Sequence, residues 1–312
     1  MSEYHEQAVA FGPRRSLVGV LTTPADGGDA ELPVFVLLNA GVIHRVGANR
    51  MHVRMARALA AHGFQAFRFD LSGIGDSDAR DDEADLARAV RRDIADALAH
   101  LEAAQGARSF VLCGLCSGAN NSFTYALTDE RVIGAVLMDP NAFRTPRFYL
   151  THYAPRLVRL ETWTNILQGR HPWVRQVVDR FARPLASQRQ GGAEEDGGPA
   201  TPTTTSGPTR EEMDAGLTTL VGRGVELLII FTGGLPWQYN YAAQFRDTFP
   251  RQASDPHIRV EYFADSDHTF SAESAKVALL ELVTGWMAAR GARARQQRGS
   301  TVEERKRCGA VA

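Results

Sequence analysis

Cysteine is scarce in this chain of 312 residues: there are three, Cys113, Cys116 and Cys308. An odd count gives no even-numbered disulfide framework, and the spacing lacks the paired ligands of a zinc site. A reducing, cytoplasmic setting suits them. Long apolar runs are missing as well, for no stretch approaches the roughly 18 residues of a membrane helix, and the opening MSEYHEQAVAFGPRR has no signal-length apolar core. No membrane is expected as a partner. An excess of one charge is also lacking, since 35 basic and 36 acidic side chains leave a formal net charge of -1. Such a balance builds no field for nucleic acid or an anionic surface, so the expected partner is a small molecule or another protein.

What is present is core-forming material. With 44% apolar residues the chain is long enough for one large sheet-based domain plus an insertion. Gln7 to Phe11 and Leu17 to Leu21, joined by Gly12-Pro13-Arg14-Arg15, read as an antiparallel hairpin. From Val34 to Leu38 the sequence is continuously apolar, as in a strand buried on both faces. Helical spacing follows over Arg50 to His62 and ends at Gly63, then a strand over Phe64 to Phe69, a helix over Asp85 to Ala104, and strands at Ser109 to Cys113 and Val132 to Met138. That rhythm predicts right-handed crossovers and an α/β, doubly wound, mostly parallel sheet of about eight strands.

Between Asn141 and Arg189 the rhythm breaks, and Trp173 to Phe181 has helical apolar spacing, which suggests a small helical cap. Gln190 to Thr209 is rich in Gly, Pro and Thr and is expected to be disordered. Strands resume at Val225 to Phe231 and Ile258 to Phe263, and Ala272 to Met287 closes the fold. The resulting division is core over 1–143, cap over 144–189, linker over 190–210, core over 211–289 and a solvated basic tail over 290–312.

The chemistry concentrates at Gly114-Leu115-Cys116-Ser117-Gly118, where an apolar strand runs into Gly-x-Cys-x-Gly and then into a helix. This is the setting of a nucleophile elbow. Its central residue sits in a strained turn, so the residues two positions to either side must be small. Gly114 and Gly118 meet that need around Cys116, whereas centring the turn on Ser117 would put Leu115 in a small-residue position. A buried, inert cysteine in a tight turn is the plainer alternative, and it is the reading adopted for Cys113. A helix N-terminus and a nearby imidazole would both lower the thiol pKa of Cys116, and the Ser117 backbone N–H would serve an oxyanion.

With strand order and elbow in view, Leu17 to Met287 resembles the α/β-hydrolase superfamily, in a variant with a cysteine nucleophile. In such enzymes the loop after the first long parallel strand supplies a second oxyanion N–H. Here that loop is Asn39-Ala40-Gly41-Val42-Ile43-His44, with Val42 or else Ile43 as donor and His44 beside the pocket. Asp70-Leu71-Ser72-Gly73-Ile74-Gly75-Asp76-Ser77 resembles a family loop whose residues are structural. Similar hydrolases carry their catalytic histidine in an Asp-His-x-Phe context, which points to His268, with Asp267 a loop residue.

The acid is harder to place, because Thr232-Gly233-Gly234-Leu235, after the penultimate strand, holds no carboxylate. An alternative family position follows the strand after the elbow, where Asp139 stands before Pro140. Asp139 either orients His268, as in a serine triad, or caps a turn and leaves a Cys–His dyad. The resemblance implies an acyl-enzyme route for an ester, lactone or thioester on a small molecule, free or carrier-bound, with no metal or organic cofactor. Transfer or cyclisation onto an amine, thiol or alcohol is the alternative, and a non-catalytic ligand-binding protein is the rival from another class. Phe148, Tyr149, Tyr153, Trp163 and Trp173 would roof the pocket or pack cap to core, and Trp237 and Tyr239 are further candidates to line it.

Overall fold

The computed structural model describes residues 3–29, 31–158 and 207–309. Eight strands form one sheet in the order β1-β2-β4-β3-β5-β6-β7-β8. The strands are β1 (Tyr4–Phe11), β2 (Leu17–Pro24), β3 (Val34–Leu38), β4 (Ala66–Phe69), β5 (Phe110–Leu115), β6 (Val132–Met138), β7 (Glu226–Thr232) and β8 (Ile258–Phe263). β1 and β2 are antiparallel to their neighbours, and β4 through β8 run parallel. The hairpin is longer than its sequence suggests, because Tyr4 pairs with Pro24 and the ladder runs without a break from there to Phe11 and Leu17.

The helices divide between the two faces. α1 (Met51–Ala61) and α7 (Glu273–Gly309) pack Met55, Leu59, Leu279 and Val283 on Phe35 and Leu37. On the opposite face α2 (Leu86–Gln105), α3 (Ser117–Ala126) and α5 (Arg210–Gly222) pack Ile94, Leu98, Phe123 and Leu217 on Val36 and Leu38. Alternate residues of one strand thus serve two cores, as period-2 geometry requires, and the continuous apolar run of β3 is the result. Local signals set the helix ends. The Asp85 carboxylate accepts from Arg88 N at 2.8 Å, and Gly106 leaves α2 at φ 68°. Two further helices, α4 (Pro146–Val158) and the five-residue α6 (Gln244–Thr248), follow β6 and β7 in the chain.

Two elements differ from the sequence expectation. α5 begins where the linker was drawn: Thr209 Oγ1 accepts from Glu212 N at 3.2 Å and Glu212 Oε2 from Thr209 N at 2.8 Å, a reciprocal cap. α7 runs on to Gly309, through the segment read as a tail. Arg290 within it is docked rather than solvated, donating to the Ile133 carbonyl at 2.5 Å and pairing with Glu226 at 3.3 Å. Of the expected cap, Trp163, Trp173 and everything else over 159–189 lie outside the described residues, as does most of the expected linker.

One buried carboxylate organises the loop after β3. Asp70, fully buried, accepts from Asn39 Nδ2 at 3.3 Å, Arg45 N at 2.5 Å and Asp76 N at 3.1 Å, and pairs with the Arg45 guanidinium. Gly75, at φ 58°, lies against it so closely that a β-carbon there would stand 2.3 Å from Asp70 Oδ2. The loop that resembles a structural family motif is therefore structural here, through identifiable bonds. Removing one partner of a buried pair strands the other, so Asp70→Ala is expected to lower the unfolding free energy by about 3 kcal/mol. The drop would be read as a lower urea midpoint at unchanged slope.

Candidate active site

The carboxyl ends of the parallel strands are where open α/β sheets place their sites, and the candidate residues gather there. β5 delivers Cys116. Its backbone, at φ 57° and ψ -117°, lies in a region that L residues rarely adopt, and α3 starts at the next residue. The reason is lack of room. A β-carbon at Gly114 would stand 2.2 Å from the Gly118 carbonyl carbon, and one at Gly118 would stand 2.5 Å from the Asn39 oxygen. The expected elbow forms around Cys116 and not around Ser117.

β8 delivers His268 through a short loop held by the neighbouring Asp267. The Asp267 carboxylate accepts from Thr269 N at 2.8 Å, Thr269 Oγ1 at 2.7 Å, Ser271 N at 3.0 Å and the Ser271 hydroxyl. These bonds hold its carboxyl well below the usual carboxylate range and spend its oxygens inside the loop. Asp139, from the end of β6, approaches from the other side. His268 Nδ1 lies 2.7 Å from Asp139 Oδ2, which leaves the other ring nitrogen free to act on Cys116, whose thiol the imidazole holds below its ordinary range. β5, β6 and β8 thus bring a thiol, a carboxylate and an imidazole to one place, with the imidazole coupled to both of the others.

Sequence reasoning missed one partner in that chain. Thr232, the last residue of β7, donates its N–H to Asp139 Oδ1 and its hydroxyl to Asp139 Oδ2, both at 2.7 Å. Asp139 itself sits at φ 43° and is buried, with its N–H on the Ile230 carbonyl at 2.7 Å. A strained aspartate bound so fully is more than a turn cap before Pro140. The segment after Thr232 also explains the absent acid. A β-carbon at Gly233 would stand 1.9 Å from the Ala264 oxygen, and one at Gly234 2.3 Å from His268 N, so no side chain fits there.

The electrostatics follow from these contacts. The Cys116 thiol is held below its ordinary range chiefly by the hydrogen bond to His268; burial opposes this, while the imidazole charge and the Ser117 N–H reinforce it. Burial alone would lower the pKa of His268, but its bonds and charge pairing with Asp139 and Cys116 outweigh that and raise it to about 9. Cys113 is the contrast: fully buried, its sulfur 3.9 Å from that of Met55, it has a thiol pushed far up by desolvation.

Around the chain, the loop after β3 rests on α3. Gly41 N donates to Ser117 Oγ at 2.7 Å, Asn39 Nδ2 holds the Ile43 carbonyl at 2.8 Å, and Val42 stands out at the rim, 64% exposed. A small open cleft lies beside Ser117, walled by Asn39, Gly41, Leu71, Ile74 and Val90. His44 and Trp237 are exposed, on the loops after β3 and β7. Tyr239 corrects an expectation, because it does not line a pocket. It is buried and stacked on Phe231 at 3.8 Å, with its hydroxyl on the Ala242 carbonyl at 3.1 Å. Phe148 is also buried, while Tyr149 is half exposed. Among the described residues no cluster of His, Cys, Asp and Glu is arranged to hold a metal, and no helix is long and apolar enough to cross a membrane.

A family model described as serine aminopeptidase, S33, matches residues 36–193, a span that includes the elbow and Asp139. The chain belongs to this S33 family of α/β hydrolases. Its fold is shared with solved structures at low identity. A dienelactone hydrolase from Anabaena variabilis is 14% identical, with 91% of this chain and 97% of that one aligned at a TM-score of 0.53. An esterase from Pyrococcus furiosus is 12% identical, with 92% and 91% aligned at 0.54. No curated protein matches the sequence. The family's description names a serine enzyme, whereas the elbow of this S33 member carries a thiol.

The lowered thiol and the raised imidazole define a pH window. A thiol of lowered pKa ionises at lower pH than a free cysteine, and an imidazole of raised pKa keeps its proton up to about 9, so the thiolate–imidazolium pair persists between the two values. Alkylation by iodoacetamide at pH 7 is therefore expected to label Cys116 and spare Cys113. His268→Ala should move the Cys116 midpoint upward toward about 8.5, the ordinary thiol value. An unchanged midpoint in that variant would sink the assignment.

Proposed function

We propose that this S33 hydrolase is a cysteine-dependent acyl hydrolase acting on an ester, lactone or thioester. The observation that carries the reading is the 2.7 Å contact of Asp139 with His268, together with the coupling of that imidazole to the Cys116 thiol. A binding protein that had lost its chemistry would have no use for a strained aspartate, an imidazole of raised pKa and a thiol of lowered pKa gathered together. The resemblance of the cysteine elbow to dienelactone hydrolases and polyhydroxyalkanoate synthases agrees with an acyl carbonyl as target.

In the proposed reaction the Cys116 thiolate attacks the carbonyl carbon, and the carbonyl oxygen becomes an oxyanion that takes hydrogen bonds from the backbone N–H groups of Ser117 and Val42. The intermediate collapses as imidazolium His268 gives its proton to the leaving oxygen or sulfur, and Cys116 keeps the acyl group as a thioester. Water, deprotonated by the now neutral His268, attacks that thioester and frees the acid and the thiolate. Asp139 holds the imidazole in the correct tautomer and balances its charge, and Thr232 positions Asp139. His44 and Trp237, exposed on the loops after β3 and β7, would meet the acyl donor. Because a thioester passes its acyl group readily to amines and thiols, transfer to such an acceptor is the second reading that the sulfur favours.

Intact-mass analysis after exposure to activated esters and thioesters tests the proposal. Cys116 is expected to gain the acyl mass in the wild type and not in Cys116→Ala. Asp139→Asn should slow turnover by about 10⁴-fold if the three residues act as a triad, while a near-normal rate would leave a Cys–His dyad. Acylation of Cys116 no faster than that of Cys308 would refute the reading.

A further inference from the structure

The oxyanion donors named above are backbone amides, and the loop after β3 spends one of its amides elsewhere. Gly41 N–H points at Ser117 Oγ, 2.7 Å away, and so is unavailable as a free donor. The bond is forced by packing: with no β-carbon on Gly118, the first turn of α3 lies directly on the carbonyls of Leu38 and Asn39. Ser117 is buried, and its own N–H favours a thiolate on Cys116. Its hydroxyl oxygen therefore accepts from Gly41 while the residue's main chain faces the nucleophile. Among the described residues the Ser117 O–H has no protein acceptor, and Ser117 also lines the cleft beside the site.

We propose that the Ser117 hydroxyl is a side-chain oxyanion donor, so that Gly41 acts on the transition state through it. The inference rests on the cysteine-acylation reading and deepens it. A hydroxyl that accepts a hydrogen bond is polarised and donates more strongly, and a donor already held in place needs no reorganisation when charge develops. In the free site the relay runs Gly41 N–H to Ser117 Oγ. On attack the Ser117 O–H turns to the new oxyanion, joining the Ser117 N–H from the same residue. No proton leaves Ser117, and the Cys116–His268 pair carries the bond-making as before.

The decisive comparison sets acylation of Cys116 by a p-nitrophenyl ester, which forms an oxyanion, against its alkylation by iodoacetamide, which displaces iodide at a saturated carbon and forms none. Both rates are read on the same Cys116 sulfur, in the full chain, for wild type, Ser117→Ala and Ser117→Thr. The expected result is an acylation-to-alkylation ratio about a hundredfold lower in Ser117→Ala, with alkylation within twofold of wild type and the ratio largely retained in Ser117→Thr. An unchanged ratio in Ser117→Ala overturns the proposal, whether both rates persist or both fall together as a merely structural role would require. A wild-type protein that alkylates rapidly at Cys116 yet never acylates would refute the underlying acyl reading instead, and the wild-type control alone would reveal it.

Discussion

Three stretches of backbone converge at the start of α3 with no room between them for a β-carbon. Gly114 on β5, Gly118 on α3 and the carbonyl of Asn39 after β3 lie so close that any side chain at either glycine would have to displace main chain. That constraint puts Cys116 at positive φ, lifts its thiol off the end of the sheet and turns the Ser117 N–H toward the sulfur. It also seats the loop after β3 on α3, where Gly41 reaches Ser117. Strain of this kind costs on the order of 1–3 kcal/mol and persists only where the surroundings over-determine it. Here the surroundings are a parallel sheet with both faces covered and a loop anchored on buried Asp70.

The same sterics account for the position of the acid. Gly233 and Gly234, after β7, are pressed against Ala264 and His268, which draws the histidine loop close to the sheet but leaves no space for a carboxylate. The carboxylate that meets His268 comes instead from the neighbouring strand β6, and the end of β7 contributes Thr232, which binds both of its oxygens. The charge has moved one strand over, and a hydroxyl and an amide occupy the place it left.

How much of this was legible depended on whether the cause was local. The strands Val34–Leu38, Val132–Met138 and Ile258–Phe263 were readable because burial of β3 and β6 on both faces, and an apolar alternation in β8, leave their mark in consecutive residues. Cys116 was readable because the elbow's steric rule spans five residues, and His268 because its loop repeats a family pattern. α5 was not, since its core side chains Met213, Leu217 and Leu220 are few and its Thr209 cap ends a stretch rich in Gly, Pro and Thr. Tyr239 was misplaced because a tyrosine in a pocket and one stacked in a core differ only in their tertiary neighbours. The Thr232–Asp139 and Gly41–Ser117 bonds join residues 93 and 76 positions apart, beyond any local rule.

Asp139 acts on the two members of the reactive pair in opposite directions. Its negative charge disfavours a thiolate on Cys116, yet its hydrogen bond and charge favour a proton on His268. The first influence crosses the width of an imidazole ring, while the second acts through direct contact at 2.7 Å, so the contact dominates and the ion pair gains more than it loses. A serine in the same elbow, far harder to ionise, would need that imidazole neutral in order to give up its proton to it. A thiol meets the opposite demand, since its lowered pKa lets it ionise while His268 still holds its proton. An imidazole held protonated up to about 9 therefore suits sulfur at position 116 better than oxygen, and the thiol and the raised histidine are two halves of one electrostatic solution.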